Sequence, residues 1–160
     1  MGDTQTIDRE HRLWDNFQAA YAVLYLLTWL IDSFFLNLTT FLADSTPLLV
    51  RLACSAIVMI PAVVLVYLSH ELLFGGDGKP PDKVVDSGIF GRVRHPMYLG
   101  TLLVYLAVFL TTLSIACFVL FLIIVVIYDR AASFEEKLLI KLFGEEYLQY
   151  KKRVKKWLPL

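Results

Sequence analysis

An all-α, polytopic membrane helix bundle is the fold class this sequence predicts, and three observations carry it. Hydrophobic residues fill 58% of the 160 positions and charged residues 19%, whereas soluble domains carry about a quarter charged. The charges fall into a few clusters separated by long stretches that hold almost none. Those stretches approach or exceed the roughly 20 residues a helix needs to cross a hydrocarbon core, where backbone polar groups must be satisfied inside the helix itself. The length fits one domain over residues 1–160, with an N-terminal two-helix membrane part (1–74) and a loop, hairpin and tail (75–160). Net charge is zero, so no overall field points to nucleic acid.

The first apolar stretch spans residues 17–42 and contains Asp32, which inside a span is a functional candidate by default, or a cap near a helix end. Asp44-Ser45-Thr46-Pro47 then supplies a turn and a helix start, with Pro47 where a missing N–H costs little. A second span covers 48–74, and Pro61 in its middle predicts a kink. Gly75-Gly76-Asp77-Gly78-Lys79-Pro80-Pro81 breaks the pattern and opens a polar loop to Arg94. The next apolar run, 98–128, would make a straight helix of roughly 46 Å against a core of about 30 Å. Its least hydrophobic point is Thr111-Thr112-Leu113-Ser114, so a helical hairpin is expected, from 96 to about 112 and from about 115 to 133.

Charge placement supports the hairpin. Most Lys and Arg lie in the loop before Met97 and in the tail from Arg130, and two segments on one side need an even number of crossings between them. About four spans put the loop, the tail and the N-terminus, with Arg9 and Arg12, on the cytoplasmic side, and leave Arg51 near the opposite face. An amphipathic tail helix is expected from about Ser133, striped by Phe134, Leu138 and Leu142, lying along the membrane and interrupted near Gly144. Lys151-Lys152-Arg153 and Lys155-Lys156-Trp157 suit anionic headgroups. No cleaved leader is recognised; Gly2 and Thr6 fit a loose myristoylation pattern that a chain already in the membrane does not need. Cys54 and Cys117 lack metal-ligand spacing, so they are expected to pack and no metal is expected.

Two polar clusters could carry chemistry. One is Gly88-Ile89-Phe90-Gly91-Arg92-Val93-Arg94-His95-Pro96-Met97-Tyr98, where the loop enters the membrane; its rival reading is a basic interface anchor in an aromatic belt. The other is Asp129-Arg130 followed by Glu135-Glu136, whose rival reading is a solvated helix face. A hairpin returns both to one end of the bundle, around one pocket.

Arg94-His95-Pro96-Met97-Tyr98, then Glu135-Glu136, then Phe143-Gly144-Glu145-Glu146-Tyr147-Leu148-Gln149-Tyr150 together resemble the isoprenylcysteine carboxyl methyltransferase family and its phospholipid methyltransferase relatives. The likeness covers residues 83–159, about half the chain. It implies a helical membrane enzyme that binds S-adenosyl-L-methionine, releases S-adenosyl-L-homocysteine and lacks a Rossmann unit. Carried over by motif, Lys83, Val84, Val85, Phe90, His95, Pro96, Met97, Tyr98 and Glu135 would line the cofactor. Arg130 would face the substrate, and Arg94, Glu135 and Arg130 would be the catalytic set.

Methyl transfer from a sulfonium is an in-line displacement, so the protein mainly aligns groups in a water-poor pocket. The resemblance implies a lipophilic acceptor, with a carboxylate of the prenylcysteine type favoured. Such a carboxylate needs no base, and Arg130 would hold it bidentately. The alternatives are N-methylation of a phospholipid amine, which needs a base such as Glu135 or His95, and a non-catalytic membrane scaffold. The expected partners are this acceptor and membrane lipids, without nucleic acid or metal.

Overall fold

The computed structural model describes residues 2–75 and 82–157, without the side chains of 2–13 and 15. The Gly-Pro turn at 76–81, the side chains of Arg9 and Arg12, and the end of the motif at Pro159 therefore lie outside the described residues. The chain is helical, in the order α1 (Gly2–Ile31), α2 (Leu48–Phe74), α3 (Pro96–Thr112), α4 (Ile115–Phe143) and α5 (Glu145–Arg153). Among the described residues, three segments are long and apolar enough to cross a membrane, Asn16–Leu36, Leu48–Phe74 and Ile115–Phe143. The 17 residues of α3 are apolar and shorter. By their length and apolar composition these helices make the chain an integral membrane protein.

The hairpin forms where the hydropathy minimum puts it. Leu113 takes a left-handed conformation at φ 53° after α3, and Ser114 caps α4 by accepting from the amide of Cys117. The tail differs from expectation. No helix starts at Ser133; α4 runs on to Phe143, because residues 129–143 carry no stop signal before Gly144, which turns the chain at φ 56° into α5. Helix α2 continues through Pro61.

In lipid, helices gain little by hiding apolar surface from one another, so small residues and hydrogen bonds set the packing. Gly100 of α3 lets α2 come close: a Cβ there would stand 2.9 Å from the carbonyl of Ala62 and 2.8 Å from Val66 Cγ2. Ser55 donates to the Ala107 carbonyl at 2.7 Å across the same pair. Helix α1 is held by tyrosines, Tyr25 to the Tyr105 carbonyl at 2.8 Å and Tyr21 to the Leu120 carbonyl at 2.6 Å. Around them Leu102, Cys117, Ile124 and Tyr128 complete the buried core, while Cys54 faces outward.

Asp32 resolves as a cap. It is buried in a π-type turn at the end of α1 and accepts from the amides of Leu38 and Thr39, from the Thr39 hydroxyl and, at 2.6 Å, from Ser114. These bonds knot the end of α1 to the turn between α3 and α4. The opposite end of the bundle holds the two clusters of titratable residues.

Candidate active site

The loop before α3 is shaped by two local features. Gly88 adopts φ 58°, a region that resists a Cβ, and the turn it belongs to carries Phe90 inward to a buried position. Val93 then pairs with Lys155 in an isolated parallel bridge, with the Arg94 amide donating to the Lys155 carbonyl at 2.9 Å. This fixes Arg94 and His95 at the N-terminus of α3 beside α4 and the segment after α5.

Helix α4 presents Ala131, Phe134, Glu135 and Leu138 toward this loop, the three-and-four spacing of one helical face. Glu136 points some 100° away and is the buried hub of an ion-pair network. Arg94 reaches it through Nη2 at 2.8 Å and Nε at 2.9 Å, and Lys151 Nζ meets its other oxygen at 2.7 Å. His95 Nε2 lies 3.3 Å from Glu136, while its Nδ1 lies 3.6 Å from Glu135. Arg94 also donates to the carbonyls of Lys151 and Val154. One guanidinium thus ties the loop, α4 and the C-terminal segment together, which is the geometry a planar five-donor fork supports.

Burial alone would lower the pKa of His95, but hydrogen bonds and charge from Glu135 and Glu136 outweigh it and hold the imidazole above its ordinary 6.5. Tyr150, pushed up to about 12 by burial, donates to the Phe90 carbonyl at 2.8 Å and locks α5 against the loop. A second clasp joins Lys156 to Asp129 at 2.6 Å and to Ser133 at 2.8 Å, with Trp157 donating to Asp129 at 2.9 Å. Lys151, Arg153 and Lys156 are therefore engaged by Glu136, Asp86 and Asp129, and the basic tail is less a free headgroup patch than its sequence suggested.

Two cavities open here, of about 260 and 190 Å³, sharing a wall of Leu73, Phe90, Arg94, His95 and Glu135. Together they fall within the roughly 300–1,000 Å³ usual for a small-ligand site. The smaller one is lined by Lys83, Val84 and Val85, by Leu139 of α4 and by Tyr147 and Tyr150 of α5. The larger one adds Pro96, Met97 and Tyr98, the last stacked on His95 with ring centres 5.7 Å apart. Of the residues expected from sequence, Lys83, Val84, Val85, Phe90, Arg94, His95, Pro96, Met97, Tyr98 and Glu135 all converge on this crevice. Arg130 does not: it is exposed on α4, one helical turn before Phe134, and lines neither cavity. The sequence placed Glu136 in a polar cluster but gave it no role of its own, and it gave no local signal for Trp14 and Gln18 of α1, which line the larger cavity far in sequence from the motif residues.

Glu135 is the carboxylate lining both cavities, half-exposed, whereas Glu136 is already neutralised by Arg94 and Lys151. A profile of the phospholipid methyltransferase family matches residues 50–146, which hold nearly all of α2, the loop, α3 and the whole of α4. The chain belongs to that family. Its similar proteins include methanethiol S-methyltransferase of Pseudomonas deceptionensis, 36% identical over 101 residues, 58% of this chain and 38% of that one. Protein-S-isoprenylcysteine O-methyltransferase of Mus musculus is 38% identical over 77 residues, 48% of this chain and 27% of its own. Methanethiol S-methyltransferase 1 of Bradyrhizobium diazoefficiens is 38% identical over 88 residues, 54% and 30% of the two chains. This chain thus spans well under half the length of these family members, and no solved structure matches it.

Proposed function

We propose that this chain is an S-adenosylmethionine-dependent methyltransferase whose acceptor is lipophilic and carries a carboxylate of the prenylcysteine type. The observation that carries the reading is the crevice itself: one partly exposed carboxylate, Glu135, stands on a wall shared by two apolar cavities at the end of a membrane bundle. That donor set fits the cofactor, which brings an ammonium and a sulfonium that Glu135 would face, and an aromatic base for Val84, Val85, Leu139 and Tyr147 to sandwich. Lys83, exposed at the rim, would meet its carboxylate.

When bound, S-adenosylmethionine supplies an electrophilic methyl group on sulfur. The chain supplies position and an apolar surround: buried Phe90, with Phe74 and Phe134, gives the cavity greasy sides, and Glu135 and His95 would orient the polar groups at the shared wall. Arg94 is a positioning residue on this reading, because Glu136 and two carbonyls engage its guanidinium. Arg130, exposed on α4 and outside both linings, is not placed to hold the acceptor's carboxylate. Both ring nitrogens of His95 are turned to carboxylates, Nδ1 to Glu135 and Nε2 to Glu136, which supports this acceptor over an amine that would need the imidazole as a free base. A small thiol is the second reading, favoured by the relatives named methanethiol S-methyltransferase. The placement of Lys and Arg supports a crevice, and both ends of the chain, on the cytoplasmic side.

The test is label transfer by detergent-purified protein from methyl-labelled cofactor to N-acetyl-S-farnesylcysteine, methanethiol and phosphatidylethanolamine. The expected product is a base-labile farnesylcysteine methyl ester. Label on the thiol or the amine instead would replace the acceptor, and no binding of S-adenosylhomocysteine would favour the scaffold reading.

A further inference from the structure

The two cavities differ in which helices build them. The smaller is walled by the loop, α4 and α5, with Leu73 of α2; the larger alone draws on α1, through Trp14 and Gln18. Helix α1 also lies outside the segment the family profile matches, residues 50–146. Relatives with different named acceptors, a thiol and an isoprenylcysteine, resemble this chain about equally, at 36% and 38% identity. The choice of acceptor is therefore not evident from the shared segment, and α1 is where this chain adds its own surface to the crevice.

We infer that Trp14 and Gln18 form the acceptor-selecting wall of the larger cavity, suited to a lipophilic molecule with a hydrogen-bond-accepting oxygen beside its reacting atom. This rests on the methyltransferase reading and specifies the acceptor half of the same site. Trp14 is braced by Phe17 in an edge-on pair with ring centres 6.0 Å apart, and Phe17 leans on Tyr21 at the same separation. A stiff aromatic wall of this kind gives shape selection at low entropic cost. Gln18 is oriented from the site side: the Tyr128 hydroxyl donates to its Oε1 at 3.1 Å, and Tyr128 packs edge-on against Tyr98 at 5.1 Å. With its oxygen engaged, the amide end that remains is a donor, which complements a carboxylate oxygen and not an ammonium. Gln18 thus reaches His95 through Tyr128 and the Tyr98 stack.

The experiment measures, by calorimetry on the full chain in detergent, binding of N-acetyl-S-farnesylcysteine to protein saturated with S-adenosylhomocysteine, in wild type, Trp14→Ala, Gln18→Leu and Gln18→Asn. Tyr67→Ala, on the outward face of α2, is the control. Trp14→Ala and Gln18→Leu should each weaken acceptor binding by about tenfold, the scale of one lost hydrogen bond or aromatic contact. S-adenosylhomocysteine affinity should stay within about twofold, Gln18→Asn should recover part of the loss, and Tyr67→Ala should change neither. Acceptor binding that is absent in wild type, or unchanged in both variants, overturns the inference. So does a parallel loss of S-adenosylhomocysteine affinity. If wild type binds the acceptor but transfers no methyl group, the enzymatic reading fails while the wall assignment is still decided by the variants.

Discussion

The two adjacent glutamates of α4 should respond to the same change in opposite ways, and Glu136→Gln tests the network most directly. Glu136 and Arg94 have side chains only 5% and 9% exposed, so removing the negative charge leaves a buried guanidinium with carbonyl partners alone. Breaking a buried pair from one side costs about 3–5 kcal/mol, and the two carbonyls that still accept from Arg94 place this case near the lower end. For a chain of this size about 3 kcal/mol corresponds to a fall in Tm of roughly 6–12 °C. Glu135 is 41% exposed and touches His95 only at 3.6 Å, the regime in which an ion pair is worth about 1 kcal/mol or less. Glu135→Gln should therefore melt within about 3 °C of wild type yet lose most affinity for S-adenosylhomocysteine. Differential scanning fluorimetry and calorimetric titration on the same preparations read both quantities. The reasoning is refuted if Glu136→Gln melts like wild type, or if Glu135→Gln is the less stable of the two.

Three further outcomes are expected. Gly100→Val places side-chain atoms against the Ala62 carbonyl and should cost about 2 kcal/mol or more, seen as a lower melting temperature in detergent. Asp32→Ala strips the acceptor from Thr39, Leu38 and Ser114 and should destabilise by about 2–4 kcal/mol, while S-adenosylhomocysteine affinity in the protein that remains folded is unchanged. His95 has its folded pKa raised, so its ion pairs stabilise fully below its ordinary 6.5 and are lost as pH climbs through the raised value. The difference in melting temperature between wild type and His95→Gln should accordingly be larger near pH 6 than near pH 9, measured by scanning fluorimetry across buffers.

The hairpin was legible because a single helix through 98–128 would overrun the bilayer and only Thr111 to Ser114 offered a break, which the left-handed Leu113 provides. The end of α4 was not, because the apolar stripe through Phe134, Leu138 and Leu142 fits a continued span and a new surface helix equally well. What decides it is Gly144, whose positive φ begins the turn. The motif residues found their common crevice, yet the division of labour inside the acidic pair was hidden. Neighbours on a helix differ by about 100° in direction, and the rotation of α4 against the loop is a tertiary property. Arg130 shows the same limit from the other side, one residue from Ala131 yet outside the lining. Nothing in the sequence near Trp14 or Gln18 marks them, since their place in the crevice follows from how Tyr21 and Tyr25 seat α1 on the hairpin.

The knot at Asp32 has a mechanical meaning. It joins α1 to the head of α4 with short bonds to a carboxylate, far along the bundle from the place where the same two helices flank the larger cavity. Helices bound so at one extremity can part only toward the other, where the longer Tyr128–Gln18 bond of 3.1 Å joins them, so any widening that admits a bulky guest is taken up there, between Gln18 and Phe134. A pair of spin labels there would report the gap, and a pair beside Ser114 would stay still.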